Sequence, residues 1–438
     1  MKKPALYLLV FFVSNSWIFA QTDQEIKFDS PATHFTQSIP LGNGRVGAMV
    51  YGNPHKERIV LNEISMWSGG IDNPNREDAS QYLAEIQRLL KENKNQEAQN
   101  LLQKYFVSAG QGTAFGNGAN AKYGSYQIFA DLRINWQDTT AAVTDYKRVL
   151  NLENAMAVTQ WKKNGVTFKE EVLSSGSDNV IVVRLTADKP NGLNFKVLLS
   201  RKEHAQFSAA GNNITMTGQL PGGNGELGIR FAGYAKVLPT NGKLETKNSS
   251  IKVTGSSECI IILSAATDLN WPTVEKRGKD PLAVVEKTVS AASKFSWKKL
   301  KEKHIADYQY YYNRCKLEFT AKQNESIADL STAKRLVRYS KGESDVTLPA
   351  LYFNFGRYLL ISSSRPGGLP ANLQGLWAEE YQAPWNGDYH LNINLQMNYW
   401  PAEVTNLSDC HKPLVEFTKQ LVKPGEKTAK AYYNAEGW

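Results

Sequence analysis

Cysteine is scarce. The 438 residues hold three, Cys259, Cys315 and Cys410, far apart and odd in number. That excludes a disulfide framework and a thiolate metal cluster, and leaves the three to be read as small buried apolar residues. His390 and His411 stand too far apart to pair on one helix, so no metal site is expected. After the first twenty residues no apolar run is long enough to cross a bilayer, so no membrane span is expected. The net charge is +9, but the basic residues are scattered and form no nucleic-acid-binding module, so nucleic acid is not an expected partner. The densest basic run, residues 297–303, alternates with apolar residues as a solvated helix face does. Gly110 to Gly124 is rich in glycine but lacks the lysine spacing of a phosphate cradle and follows no clear strand. It reads as a surface loop at the rim of a cleft, and no cofactor is expected.

The N-terminus has the pattern of an export signal. Lys2 and Lys3 precede a short apolar core, Leu6 to Val13, and Ala20 precedes Gln21. Residues 1–20 are therefore read as a signal peptide with cleavage near Ala20, although Ile18 at the −3 position is larger than usual. This predicts a secreted or periplasmic protein.

Residues 24–270 read as an N-terminal β-sandwich. Short runs rich in Val, Ile, Phe and Thr recur with turn signals between them, among them residues 58–61, 131–136, 157–161, 166–172, 179–185, 193–199, 214–217, 227–231, 250–253 and 259–263. Asn164-Gly165 predicts a type I′ hairpin between two of them. Residues 82–90 and 95–105 carry helical spacing within this region. Residues 271–328 read as a helical linker, with one helix expected from Asp280 to about Lys303. From Asp329 the pattern is helical: residues 330–340, then 348–363 with Leu351, Phe355, Tyr358, Leu359 and Ser362 on one stripe. Arg365-Pro-Gly-Gly368 ends that helix. A long loop is expected from Leu369 to Asn398, then helices beginning at Pro401, Pro413 and Thr428.

The most unusual stretch is Pro384 to Pro401, P-W-N-G-D-Y-H-L-N-I-N-L-Q-M-N-Y-W-P. His390, Asn392, Asn394, Gln396 and Asn398 occupy every second position, with Leu391, Ile393, Leu395 and Met397 between them. In an extended chain a period of two sends alternate residues to opposite faces, giving one amide and imidazole face and one apolar face. A buried amide face must be hydrogen-bonded, and a sugar, a rigid array of hydroxyls, suits it. Two bland readings stand beside this one: a plain Asn-rich loop, and a satisfied polar network with no ligand. The aromatic content of 11%, with 10 Trp and 20 Tyr, fits either sugar stacking or core filling.

Several motifs resemble the glycoside hydrolase family 95 enzymes, the inverting α-L-fucosidases and related α-L-galactosidases. They are I-P-L-G-N-G-R-V-G-A-M-V at 39–50, L-N-E-I-S-M-W-S-G-G at 61–70, S-R-P-G-G-L-P-A-N-L-Q-G-L-W ending at Trp377, and H-L-N-I-N-L-Q-M-N-Y-W-P-A-E from His390. The resemblance covers about residues 28–438. It implies a multidomain β + α fold: N-terminal β-sandwich, helical linker, then an (α/α)6 catalytic barrel occupying 329–438, of which only about a third is present. It implies a fucosylated oligosaccharide or polysaccharide as substrate. Asn392 and Asn394 match a pair of amides that position the attacking water, and His390 matches a sugar-contacting histidine. Trp377 and Trp385 are candidates for pocket walls, set against an equal claim of core packing.

The resemblance also implies a Glu acid and an Asp base further along the barrel, beyond Trp438. Asparagine carbonyls orient a water but cannot hold a proton. The carboxylates at hand, Glu379, Glu380, Asp388 and Glu403, are better read as caps, structural partners or solvated charges. The expectation is a chain truncated relative to its fold, of fucosidase type, with impaired hydrolysis. The alternative is a non-catalytic glycan-binding or vestigial fragment. A disaccharide phosphorylase on the same architecture is a weaker third reading, because no phosphate-binding group stands out. Asn43 and Arg45 are expected to hold a tight turn, and Glu63 either to do the same or to face the cleft.

Overall fold

The computed structural model describes residues 24–110, 120–274, 277–319 and 325–438. The segment read as a signal peptide and the centre of the glycine-rich loop lie outside these residues.

Among the described residues, sixteen strands form two antiparallel sheets. The larger has nine strands in the spatial order Glu25–Phe28, Val143–Asn151, Met156–Lys163, Val166–Ser175, Val180–Ala187, Glu258–Thr267, Glu226–Pro239, Asn213–Gly223, Ala205–Ala210. The smaller has seven: Lys243–Lys247, Ser250–Ser256, Leu193–Ser200, Ala130–Trp136, Lys56–Glu63, Val46–Val50, Ile39–Gly42. Alternation explains why they stack. In Leu193–Ser200, Leu193, Phe195, Val197 and Leu199 are buried and the residues between them are not. From the smaller sheet Trp136 packs edge-on against Trp161 and Phe168 of the larger, with centroids at 5.4 and 5.3 Å. The Asn164-Gly165 turn has positive φ at both residues and pairs Lys163 with Val166, as a two-residue hairpin requires.

Two short helices, α1 (Leu83–Lys91) and α2 (Asn95–Tyr105), lie in the insertion between Lys56–Glu63 and Ala130–Trp136. After the sandwich the single helix expected from Asp280 is two. In α3 (Pro281–Ala292) the Asp280 side chain accepts from Ala283 N and Pro281 takes the first turn. Its Val285 and Val289 cover the outer face of the nine-stranded sheet. Ser296 then caps α4 (Trp297–Tyr312), which buries Leu300, His304, Tyr308 and Tyr312 at intervals of four. Polar tips on that stripe bond the sandwich: Tyr308 Oη donates to Leu152 O at 2.7 Å, and Tyr312 Oη to Gln24 Oε1 at 2.6 Å.

A four-residue turn of helix, α5 (Glu325–Ala328), precedes α6 (Thr332–Ser340), α7 (Leu348–Ser363), α8 (Asn394–Val404) and α9 (Ser408–Tyr433). Buried Arg357 of α7 ties this layer together. It donates to the carbonyls of Tyr312 and Tyr311 at the end of α4, at 2.8 and 3.1 Å, and to Thr405 O after α8 at 3.3 Å. A helix C-terminus presents unpaired carbonyls and negative dipole, which suits a guanidinium. One buried apolar cluster runs from the sandwich through Tyr358 and Ile361 of α7 to Leu395 and Tyr399 of α8.

Two expectations for this region need correction. Pro401 lies inside α8 rather than at its start, and α9 runs unbroken through Pro413 and Pro424. The alternating stretch is not extended. Pro384–Gly387 is a 3-10 turn with Trp385 and Asn386 at positive φ, and helix begins at Asn394. Burial there follows Leu395, Tyr399 and Ala402, a helical interval, so the five amide and imidazole residues do not share a face. Cys259 and Cys410 are buried as expected, whereas Cys315 is only partly so.

Candidate active site

The loop between α7 and α8 is fixed from below by the sandwich. Trp377 donates its indole N–H to Leu41 O at 2.8 Å, Asn62 Nδ2 to Ala378 O at 2.9 Å, and Tyr126 Oη to Leu376 O at 2.6 Å. Arg58 pairs with Glu379 at 2.7 Å. The close fit needs glycine. A Cβ on Gly42 would sit 2.3 Å from Ser362 O, and one on Gly44, which has φ +82°, 2.5 Å from Arg365 Cγ. Asn43 holds the turn: its Oδ1 accepts from Arg45 N and Val46 N, and its Nδ2 donates to Ser175 O.

Trp377, a candidate pocket wall, is 9% exposed and packs in this seam with Met49, Val60 and Leu376. Trp385, the other, is 75% exposed on the 3-10 turn.

The chemistry-bearing side chains gather above the seam. Asp388 receives two donors: Tyr123 Oη on one oxygen and His390 Nδ1 on the other. Burial and the Asp388 charge raise the Tyr123 phenol, so it stays a donor at neutral pH. A carboxylate on Nδ1 fixes the imidazole plane and leaves Nε2 as an acceptor toward solvent while the ring is neutral. Asn392 and Asn394 follow, both exposed. Asn398 instead turns inward and donates to Asn372 O at 3.2 Å, and Gln396 bonds back to Leu391 O. The amide array thus divides into two solvent-facing members and two that brace the backbone. Behind it, Tyr389 stacks on Trp67 at 5.5 Å and meets Phe417 at 4.6 Å.

Each carboxylate weighed from sequence is engaged. Glu379 pairs with Arg58, Glu380 accepts from Glu379 N, Asp388 holds His390, and Glu403 pairs with His411 at 2.8 Å. Sequence reading missed Tyr123 and Trp67 as members of the site. Both lay in view, one at the end of the glycine-rich loop and the other in the Leu61–Gly70 motif, but nothing local marks either as a neighbour of residues 388–390.

Residues 26–270 match the model described as glycosyl hydrolase family 65, N-terminal domain, and residues 296–438 match the glycosyl hydrolase family 95 catalytic domain. Alpha-L-fucosidase 2 of Arabidopsis thaliana is 32% identical over 440 residues, covering 94% of this chain and 51% of that protein. A protein of Aspergillus niger named as an alpha-fucosidase A is 33% identical over 435 residues, covering 94% of this chain and 52% of that one. The chain spans about half the length of the curated relatives it matches. Among solved structures, a human-microbiome protein named as a kojibiose phosphorylase aligns with TM-score 0.52 at 14% identity, over 93% of this chain and 50% of that one. At that identity the likeness is one of fold. With a family 65 type of N-terminal domain leading into a family 95 catalytic segment, and fucosidases matched along 94% of its length, the chain belongs to glycosyl hydrolase family 95.

Proposed function

We propose that this is an exported protein of α-L-fucosidase type, and that its 388–394 loop is the fucose-binding and water-positioning part of an inverting site. Helices α6 to α9 are read as the first part of an (α/α)6 barrel over residues 329–438. The observation that carries the reading is the Tyr123–Asp388–His390 relay beside exposed Asn392 and Asn394. A histidine held by a carboxylate presents one fixed nitrogen to a sugar hydroxyl. Two amide carbonyls orient a water for attack on the anomeric carbon, and Trp385 offers an aromatic face. The lysine pair and apolar core at the N-terminus support export. The substrate class is a fucosylated, or α-L-galactosylated, oligosaccharide or polysaccharide.

In inverting hydrolysis water bonds to the anomeric carbon as the glycosidic C–O bond breaks. An acid protonates the departing oxygen and a base takes the water's proton. Asn392 and Asn394 supply neither proton transfer. Since Glu379, Glu380, Asp388 and Glu403 are all engaged, the reading gives this chain binding and water orientation with little or no turnover. That is also the observation favouring the second reading, a non-catalytic glycan-binding protein.

The test is fucose release from, and binding of, a 2′-fucosylated oligosaccharide, for the chain and for an Asn392→Ala/Asn394→Ala variant. Binding without release, weakened about tenfold or more in the variant, is expected. Release above a blank that grows with protein concentration would place a working acid within this chain. Equal binding by both proteins would overturn the role of the amides.

A further inference from the structure

A cavity of about 580 Å³ opens where the sandwich, α4 and the loop after α7 meet, separate from residues 388–394. Its size is in the range that encloses a small ligand. Arg45, Glu63, Asn179, Trp271, Asp307 and Arg365 are among its walls. Glu63 is 1% exposed. Its Oε2 accepts from Ser65 N at 2.9 Å, while its Oε1 faces Arg45 Nε at 3.5 Å, too long for a good hydrogen bond. Glu63 Oε1 therefore keeps acceptor capacity although its carboxyl is buried, and burial outweighs Arg45 in holding that carboxyl above the ordinary range.

The second ion pair is built in the same way. Arg365 donates Nη1 to Asp307 Oδ2 at 3.2 Å and Nε to Ile361 O at 2.7 Å, with its guanidinium 4.1 Å over the Tyr311 ring. A Cβ on Gly176 would lie 2.5 Å from Asp307 Oδ2, so glycine there lets the carboxylate close in. Two arginines face two carboxylates, and the wall carries no surplus charge. An anion would find both arginines already neutralised. A neutral polyol would find paired donors and acceptors at fixed spacing, with the indole of Trp271 beside them.

We propose that this cavity is a second saccharide site, taking a neutral sugar unit. It is independent of the fucose-binding reading. The aromatic row Trp271–Phe417–Tyr389, with centroids 6.1 and 4.6 Å apart, links its wall to the residue next to His390.

The test is calorimetric titration of the full chain with lactose, which carries no fucose, and with galacturonate as the anionic comparator. The variants are Arg45→Ala, Trp271→Ala and Gly368→Phe. At Gly368 a Cβ meets only Arg365 O at 3.4 Å and Gly44 O at 3.5 Å, so a ring there blocks the mouth without a backbone clash. Lactose is expected to bind with Kd on the order of 1 mM, about tenfold more weakly in the two alanine variants, and not at all in Gly368→Phe. The Asn392→Ala/Asn394→Ala variant should bind lactose as the unaltered chain does. If Trp271→Ala fails to fold, Arg45→Ala and Gly368→Phe decide. The proposal is overturned by no lactose binding, by tighter binding of galacturonate, or by lactose binding that survives Gly368→Phe. Because lactose lacks fucose, failure here leaves the reading of the 388–394 loop standing, and failure of fucose binding leaves this one standing.

Discussion

Trp377 donates its indole N–H to the carbonyl of Leu41 at 2.8 Å, across 336 residues of sequence. The bond hangs the α7–α8 loop from an edge strand of the sandwich. Trp377→Phe should keep most of the packing and lose that one hydrogen bond, costing about 0.5–1.5 kcal/mol. Trp377→Ala adds the cavity and should cost about 3–5 kcal/mol. Urea unfolding of the two variants measures both, and equal stability of Trp377→Phe and the unaltered chain would remove the hydrogen bond from the account.

Gly44→Ala tests the same seam from the other side. The φ of +82° and the approach of Arg365 allow no side chain there. A loss of roughly 1–3 kcal/mol is expected from the backbone alone, with more from the clash. The melting temperature should fall, and the seam residues should gain amide exchange before the centre of the sandwich does.

Asp388→Ala releases His390 from the carboxylate that holds its Nδ1. Affinity for a fucosylated ligand should fall about tenfold, while global stability changes by about 1 kcal/mol, as for a pair that keeps partial contact with solvent. Nitrogen NMR of the His390 ring gives a second readout: Nδ1 protonation in the unaltered chain and a tautomer mixture in the variant.

The sandwich should lose stability as pH rises. Glu57 is buried with Glu170 and Arg148, and burial pushes its carboxyl up to about 7, against the pull of the backbone donors Gly52, Asn53 and Tyr51. Glu170 is raised too, first by burial and then by Glu57. A folded-state pKa above the unfolded one means the folded protein binds the proton more tightly. The stabilisation is then complete below about 4.5 and is lost as pH climbs through about 7. The slope approaches ~1.4 kcal/mol per pH unit for one proton. Midpoints of urea unfolding between pH 4.5 and 8 should fall, and Glu57→Gln should flatten that fall.

The sandwich was legible because burial on one face of a strand writes itself as alternation. All ten runs picked out in residues 58–263 are strands. Missed were strands with little apolar contrast, such as Lys243–Lys247, which is exposed throughout, and Ala205–Ala210 at a sheet edge. Residues 390–398 failed for the opposite reason. Leu391, Ile393, Leu395 and Met397 alternate, yet only Leu395 is buried. Four apolar residues on an unpacked segment carry no information about period, and the helix is set instead by Tyr399 and Ala402, which lie beyond the alternating stretch. The site's amides and His390 were visible as residue types, but the second partner of Asp388 was not. Tyr123 comes from 265 positions away, and no spacing rule spans that distance.

The Leu41, Asn62 and Tyr126 anchors have a consequence for modularity. A helical segment grafted onto a foreign sandwich would keep His390 and both asparagines and still lose the platform that aims them. Chimeras among relatives should therefore fail or succeed according to whether residues 39–63 and 126 travel with the loop, and the natural unit of exchange is the sandwich edge together with the helices it carries.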